Sequence, residues 1–406
     1  MTPLHAEIDE LARISSAPAP AVTRVLFSDE DLQARAWLRE KFAAAGLVVR
    51  EDAVGNLFAR WPGSEPDLPP VATGSHTDAI PNAGKYDGVV GVLGALEAVR
   101  QLQREGFQPR RSVEIIMFTA EEPTRFGLGC LGSRILSGAL DAARVAGLRD
   151  GEGQSLDDLR GRTGCTGDVD SARLAPGCYH AFLELHIEQG PILEHENLDI
   201  GAVEKIAAPA AFRVRIVGEG GHAGAVLMPA RRDAGLAAAE IALAVERAAL
   251  ESESADTVGT TGVFRIEPGA INSVPCAATL EIDLRDTALE TRDRAEAAIR
   301  AAIAEVAARR RVEATFEVIN SDAPAICDPV LVETIFHAAE ARDFRARRMI
   351  SRAYHDSLFM ARLCPTAMIF IPCREGWSHR PDEFASAEAI DKGVTVLADA
   401  LRVLSA

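Results

Sequence analysis

Long apolar runs are missing from this 406-residue chain, and none approaches the ~20 residues a helix needs to cross a bilayer. No charged leader with an apolar stretch behind it opens the sequence, so no membrane span is expected. Positive charge is also scarce. Lys and Arg number 43 against 60 Asp and Glu, a formal charge of −17 at pH 7, which argues against nucleic acid or an anionic membrane as the main partner. Close cysteine pairs are absent too. The seven cysteines (Cys130, Cys165, Cys178, Cys276, Cys327, Cys364, Cys373) are odd in number and scattered, with no Cys-x-x-Cys. Buried thiols in a reduced, cytoplasmic compartment fit that pattern best.

What is present describes a globular protein: 48% hydrophobic and 25% charged residues, without convincing repeats or low-complexity segments. The length suggests two domains. Over the first ~200 residues apolar runs alternate with amphipathic stretches, the texture of an α/β layer fold. Strands are expected at Pro69–His76, Arg111–Ala120 and Ala181–His186, and a packed helix at Gly88–Gln103. Each of these strands ends on acidic or imidazole groups, and open α/β sheets place their sites at that edge. A different texture begins near residue 208: an alternating strand at 211–218, an Ala-rich helix at 232–250, strands at 257–266 and 278–286, a helix at 290–310 and a strand at 313–319. That order is the split βαβ pattern of a small α+β, ferredoxin-like domain. The first texture returns near Asp322. The reading is an α/β-sandwich catalytic domain of residues 1–207 and 322–406, with an inserted lid and dimerisation domain at 208–321.

Five segments place imidazoles and carboxylates in company. They are Gly74-Ser75-His76-Thr77-Asp78, Lys85-Tyr86-Asp87-Gly88, Glu121-Glu122-Pro123, Glu184-Leu185-His186-Ile187-Glu188-Gln189-Gly190 and Ser378-His379-Arg380-Pro381-Asp382-Glu383. Donors converging from distant parts of a chain suit a binuclear metal site, whereas zinc fingers draw on local pairs. Individually the segments have plainer readings. His76-x-Asp78 can be a surface loop, or an imidazole with Asp78 accepting its other N–H. Asp87, just before a helix, can be a cap, or a carboxylate bridging two ions. Glu121-Glu122 alone describes a solvated turn; after an apolar strand, one acid can ligate while the other moves protons. His186 alone would be a core histidine, but Glu188, Gln189 and Gly190 beside it improve the ligand reading. His379 lies in a loop with no secondary structure to explain it. His5, His180, His195 and His337 lack such context.

Taken together, the segments resemble the binuclear metal amidohydrolases of the aminoacylase and carbamoylase superfamily, over nearly the whole chain and with the motifs in order. The resemblance implies one metal held by His76 and His186, another by Glu122 and His379, Asp87 bridging them, and Glu121 as general base. Gln189 is counted among the substrate contacts. The lid motifs of that superfamily are matched by Gly221-His222-Ala223-Gly224 with Met228 and Arg232-Asp233-Ala234, by Gly269-Ala270-Ile271-Asn272, and by Glu281-Ile282-Asp283-Leu284-Arg285-Asp286. In relatives acting on N-carbamoyl amino acids or allantoate, the matching His, Asn and Arg hold substrate, and lid residues can act across a homodimer. Arg285 suits a carboxylate, because its planar fork pairs bidentately, and His222 suits an oxyanion. Without the motifs, His222 reads as part of a glycine-rich turn and Arg285 as a strand-edge ion pair.

Many of these relatives carry Gly-Ala-Gly-His-Asp where this chain has Ser351-Arg352-Ala353-Tyr354-His355-Asp356-Ser357. With Phe126-Gly127-Leu128-Gly129-Cys130-Leu131-Gly132-Ser133, Gly224 to Arg231 and Phe370-Ile371-Pro372-Cys373, that form is similar to the branch of the family that hydrolyses ureidoglycolate in purine catabolism. A small-molecule ureide is then the implied substrate, with Tyr354 or His355 at its hydroxyl. N-carbamoyl-L-amino acids and allantoate are the alternatives. A site that bonds a substrate hydroxyl can reject the analogue lacking it by ~10⁴–10⁵ at best. The donors suit zinc, manganese or cobalt, and the resemblance favours two manganese ions. A catalytically dead binding protein would have lost metal ligands, and none is missing. An exopeptidase is disfavoured by the His-Ile-Glu-Gln-Gly and lid motifs.

Overall fold

A computed structural model describes residues 3–406. They form two compact units: residues up to Glu204, Ile326–Ser351 and His355–Ala406 in one, Lys205–Ala325 and Arg352–Tyr354 in the other. The junctions lie at 204/205 and 325/326, where the sequence pattern suggested 207/208 and 321/322.

Four parallel strands centre the first unit, in the spatial order Thr366–Ile371, Ala181–Ile187, Val71–His76 and Val113–Phe118. Leu57–Trp61 and Val48–Glu51 extend the sheet antiparallel on one side, and Ile200–Ile206 pairs antiparallel with Thr366–Ile371 on the other. Every residue of the four central strands is buried. Covered on both faces, they read as continuous runs rather than as alternating ones. Helix Val89–Arg104 packs beside helix Ala387–Ser405 and over strands Val71–His76 and Ala181–Ile187. Ala72, Ile116, Phe118 and Phe182 join a separate core with Leu131, Ile135 and Leu156. Because the central strands share one direction, the residues ending them gather at one edge.

The second unit is a four-stranded antiparallel sheet in the order Val258–Glu267, Ala277–Asp286, Ala208–Val217, Glu313–Ser321. Helices Ala234–Leu250 and Leu289–Arg310 bury Ile241, Val245, Ile299 and Ile303 against Phe212, Val214, Leu280 and Ile282. Strand Ala277–Asp286 alternates between half-buried and buried residues along its whole length, as expected for a sheet with one covered face. Asp233 caps the first helix by accepting the Leu236 N–H. The chain order is β-α-β-β-α-β, and the arrangement is the split βαβ one.

Candidate active site

The site starts at two strand ends. His76 is the last residue of Val71–His76, and His186 the last but one of Ala181–Ile187. Both rings are oriented from behind: Nδ1 of His76 lies 3.0 Å from the Asp78 carbonyl oxygen, and Nδ1 of His186 lies 2.9 Å from that of Ile187. Donating Nδ1–H to a carbonyl leaves a lone pair on Nε2 of the neutral ring. Those Nε2 atoms face Asp87 Oδ1, at 3.6 Å from His76 and 3.2 Å from His186. Gly88 permits the approach, since at its φ of +63° a Cβ would come within 2.4 Å of His76 Nε2.

His379 reaches the other oxygen of Asp87. Its Nε2 is 3.4 Å from Asp87 Oδ2 and 3.4 Å from Glu122 Oε1. Asp87 therefore belongs to two donor groups, His76–Asp87–His186 and Asp87–Glu122–His379, with ligand atoms within 4.8 Å of one another in each. Imidazole lone pairs set against buried carboxylates call for a cation between them, a proton or a metal, and this donor set fits two divalent ions.

The charges in the pocket make the same demand. Burial opposes a charge on His76, yet Glu121, Asp78 and Asp87 hold its imidazolium well above the usual range. The hydrogen bond to Glu122 raises His379 to about 9. Burial would raise Asp87, but His186 and His76 hold it well below the carboxylate range. Glu121 goes the other way: burial pushes it well above that range, His76 pulls back, and Glu122, Asp356 and Asp87 add to the rise. One carboxylate kept charged beside one inclined to take a proton is the division that ligation and proton transfer require.

Three details differ from the sequence reading or were not legible in it. Asp78 stands behind His76 as expected, its carbonyl 3.0 Å and its Oδ1 3.5 Å from Nδ1, but its carboxylate also accepts the backbone N–H groups of Glu121 at 3.2 Å and Glu122 at 3.0 Å. Gln189, at φ +55°, donates Nε2–H to Asp87 Oδ2 at 2.6 Å, and its buried Oε1 has no hydrogen-bond partner among the described residues. His355 is buried against a ligand candidate, its ring 4.5 Å from that of His186 and its Nε2 3.1 Å from Ser351 Oγ. Sequence reasoning passed over Ser378 and Glu383, although both lie in a segment it singled out.

In the second unit, His222 pairs across two short strands with Ser273, and the N–H of Ala223 donates to the Asn272 carbonyl at 2.8 Å. His222 and Asn272 are thereby neighbours. The Gly224 N–H donates to His222 Nδ1 at 3.1 Å, so the neutral ring carries its proton on exposed Nε2. Arg285 lays its guanidinium over the Tyr354 ring, 5.4 Å from the centroid, and gives Nε–H and Nη2–H to Asp283, each at 2.8 Å.

Imidazole and carboxylate donors gathered at the C-terminal edge of a parallel sheet define a metallohydrolase class of site. The chain belongs to peptidase family M20/M25/M40, whose model matches residues 72–403. It is 54% identical to the ureidoglycolate hydrolase of Arabidopsis thaliana over 409 residues, 99% of this chain and 86% of that protein. Solved structures of AtUAH in complex with (S)-hydroxyglycine and with glyoxylate each match at a TM-score of 0.92 and 53% identity, covering 99% of this chain and 97% of theirs. Identity to the N-carbamoyl-L-amino-acid amidohydrolase of Paenarthrobacter aurescens is 38% over 405 residues, 99% of this chain and 97% of that protein.

Proposed function

We propose that this chain hydrolyses the ureido group of S-ureidoglycolate in purine ureide degradation, releasing ammonia and carbon dioxide and ending at glyoxylate. The observation that carries the substrate is the far higher identity to a ureidoglycolate hydrolase than to an N-carbamoyl-L-amino-acid amidohydrolase. Water adds to the ureido carbonyl, and the C–N bond to the hydroxyglycine nitrogen breaks. The carbamate falls to ammonia and carbon dioxide, and hydroxyglycine loses its amine as ammonia to leave glyoxylate.

His76, His186 and Asp87 would hold one divalent ion, and Glu122, His379 and Asp87 the other. Bound ions, manganese favoured over zinc or cobalt, supply Lewis acidity that polarises the carbonyl and makes water a better nucleophile. Glu121 takes the proton of the attacking water and delivers it to the leaving nitrogen. Its upward shift supports that role. The unsatisfied Oε1 of Gln189 supports a contact to a ureido N–H. His222, with its proton on Nε2, is the oxyanion donor. Asn272 and Arg285 take the carboxylate, Arg285 exchanging the 3.5 Å contact of Nη1 with the Arg352 carbonyl for substrate while its other edge stays on Asp283. Tyr354 or His355 takes the hydroxyl.

We read the active form as a homodimer joined through the second unit. One of its two outer strands, Val258–Glu267, leaves Val258, Phe264 and Ile266 41–43% exposed, and an open strand edge with apolar side chains supports pairing with a second copy. The free state of all seven cysteines supports a reducing, cytoplasmic setting. Among the described residues, no helix is long and apolar enough to cross a membrane.

The test is ammonia release by manganese-loaded protein from S-ureidoglycolate, allantoate and N-carbamoyl-L-amino acids. The highest kcat/KM is expected on S-ureidoglycolate. A higher value on either alternative would reassign the substrate.

A further inference from the structure

Glu383 lies four residues beyond His379 and is 5% exposed. Its Oε1 accepts the backbone N–H groups of Tyr86 at 2.9 Å and Asp87 at 3.1 Å. Its Oε2 faces the Ser378 hydroxyl at 2.8 Å, and that hydroxyl also reaches Asp87 Oδ2 at 2.6 Å. Gly84 makes room for it, since a Cβ there would stand 2.4 Å from Glu383 Cβ. A single carboxylate therefore ties the 84–88 segment to the 378–383 segment, across a sequence separation of 297.

The two donor groups differ in how much they need such a tie. His76 and His186 stand on buried central strands, which hold them through the sheet itself. His379 stands in a loop with its side chain 50% exposed and its backbone at φ +59°, a conformation that a non-glycine residue keeps only when its surroundings impose it. Its partner oxygen, Asp87 Oδ2, also belongs to a loop, and there Ser378 and Gln189 both hold it at 2.6 Å.

We propose that Glu383 is a positioning residue that locks the Asp87 loop to the His379 loop and so builds the second metal position, Asp87–Glu122–His379. The proposal rests on the reading of these residues as metal ligands. Glu383 needs no contact with substrate in this role. It acts through two backbone amides and one serine hydroxyl.

The experiment compares wild type, Glu383→Asp, Glu383→Gln and Ser378→Ala as full-length, chelator-stripped protein. Manganese(II) binding is followed by calorimetry, and amide hydrogen exchange is measured without metal. Asp withdraws the carboxylate by one methylene. Gln keeps Oε1 as an acceptor and turns an N–H toward Ser378. Wild type is expected to bind two equivalents. Glu383→Asp is expected to keep one and to bind the other about 10–100-fold more weakly, the usual cost of losing a group that orients a ligand, with Glu383→Gln recovering most of the loss. In metal-free Glu383→Asp, exchange at the Tyr86 and Asp87 amides should rise about tenfold or more, while strands Val71–His76 and Ala181–Ile187 stay protected.

Two tight equivalents in Glu383→Asp, or unchanged exchange at Tyr86 and Asp87, overturns the proposal. If Glu383→Asp fails to fold, Ser378→Ala decides: weaker binding of one equivalent supports the lock, and wild-type binding of both overturns it. If wild type binds no manganese, the ligand reading falls separately, and the exchange data alone decide whether Glu383 locks the two loops.

Discussion

The carboxylate of Asp78 reaches past the histidine two residues before it and accepts the backbone N–H of Glu122 at 3.0 Å. Its other oxygen accepts the N–H of Glu121 at 3.2 Å. The Glu121–Glu122 turn is thus set by a residue just past the end of the neighbouring strand Val71–His76. Asp78→Ala should keep the shorter bond behind His76, which comes from the Asp78 backbone carbonyl at 3.0 Å rather than from the carboxylate at 3.5 Å, yet free the Glu121–Glu122 turn. An activity loss of about 10–100-fold is expected, the usual cost of removing a group behind a metal ligand. Steady-state rates at saturating manganese measure it, and wild-type turnover would refute the role.

Glu121→Gln preserves shape and removes the proton acceptor. Both metal equivalents should remain bound while kcat falls by about 10²–10⁴, the range for loss of a general base. Metal content by mass spectrometry, measured on the same sample as the rates, separates lost chemistry from lost metal. A metal-loaded Glu121→Gln protein with near-normal kcat would remove Glu121 from the proton path.

Tyr354→Phe isolates the phenol hydroxyl, because the ring face under Arg285 is retained. If that hydroxyl bonds the substrate hydroxyl, kcat/KM on S-ureidoglycolate should fall about tenfold or more, matching one buried hydrogen bond of ~1–3 kcal/mol. Rates on N-carbamoylglycine, which has no such hydroxyl, should change little. Equal losses on both substrates would mean that Tyr354 only packs.

The second unit should lose stability in acid through Asp286. This carboxylate is fully buried and accepts from the Thr257 and Thr291 hydroxyls, the Ser254 hydroxyl and the Ala288 N–H. Burial would raise it, but those donors outweigh burial and hold it below its ordinary value. A depressed native value means that the stabilisation is fully present above the unfolded pKa of ~3.9 and is lost as pH falls through the native one. Asp286→Asn should cost about 1–3 kcal/mol near neutral pH, because the amide can no longer serve all four donors. It should also flatten the acid side of the urea midpoint against pH. A parallel downward shift at every pH would refute the linkage.

Much of the fold was legible because its signals are local. The all-buried strands Val113–Phe118 and Ala181–Ile187 announce themselves as short, mostly apolar runs, and Ala277–Asp286 as a two-residue alternation. The helix expected at 232–250 starts at Ala234, with Asp233 as its cap. The site was legible where a residue's chemistry is rare in its setting: His76, Asp87, Glu122, His186 and His379 stood out, and the structure brings them into two overlapping donor groups. Less legible was anything defined by direction rather than by type. Nothing in the segment Ser378–Glu383 says that Glu383 turns back to two amides of a loop 297 positions away. Nor could spacing alone tell that Asp78 points its carboxylate at Glu121 and Glu122 while its carbonyl holds His76, or that His355 packs its ring against His186. The sequence by itself determined which elements form and which side chains have the chemistry, because periodicity and residue type act over a few neighbours. Only the tertiary structure decided which oxygen faces which proton, because a hydrogen bond depends on tenths of an ångström and on an angle that only the packed chain defines.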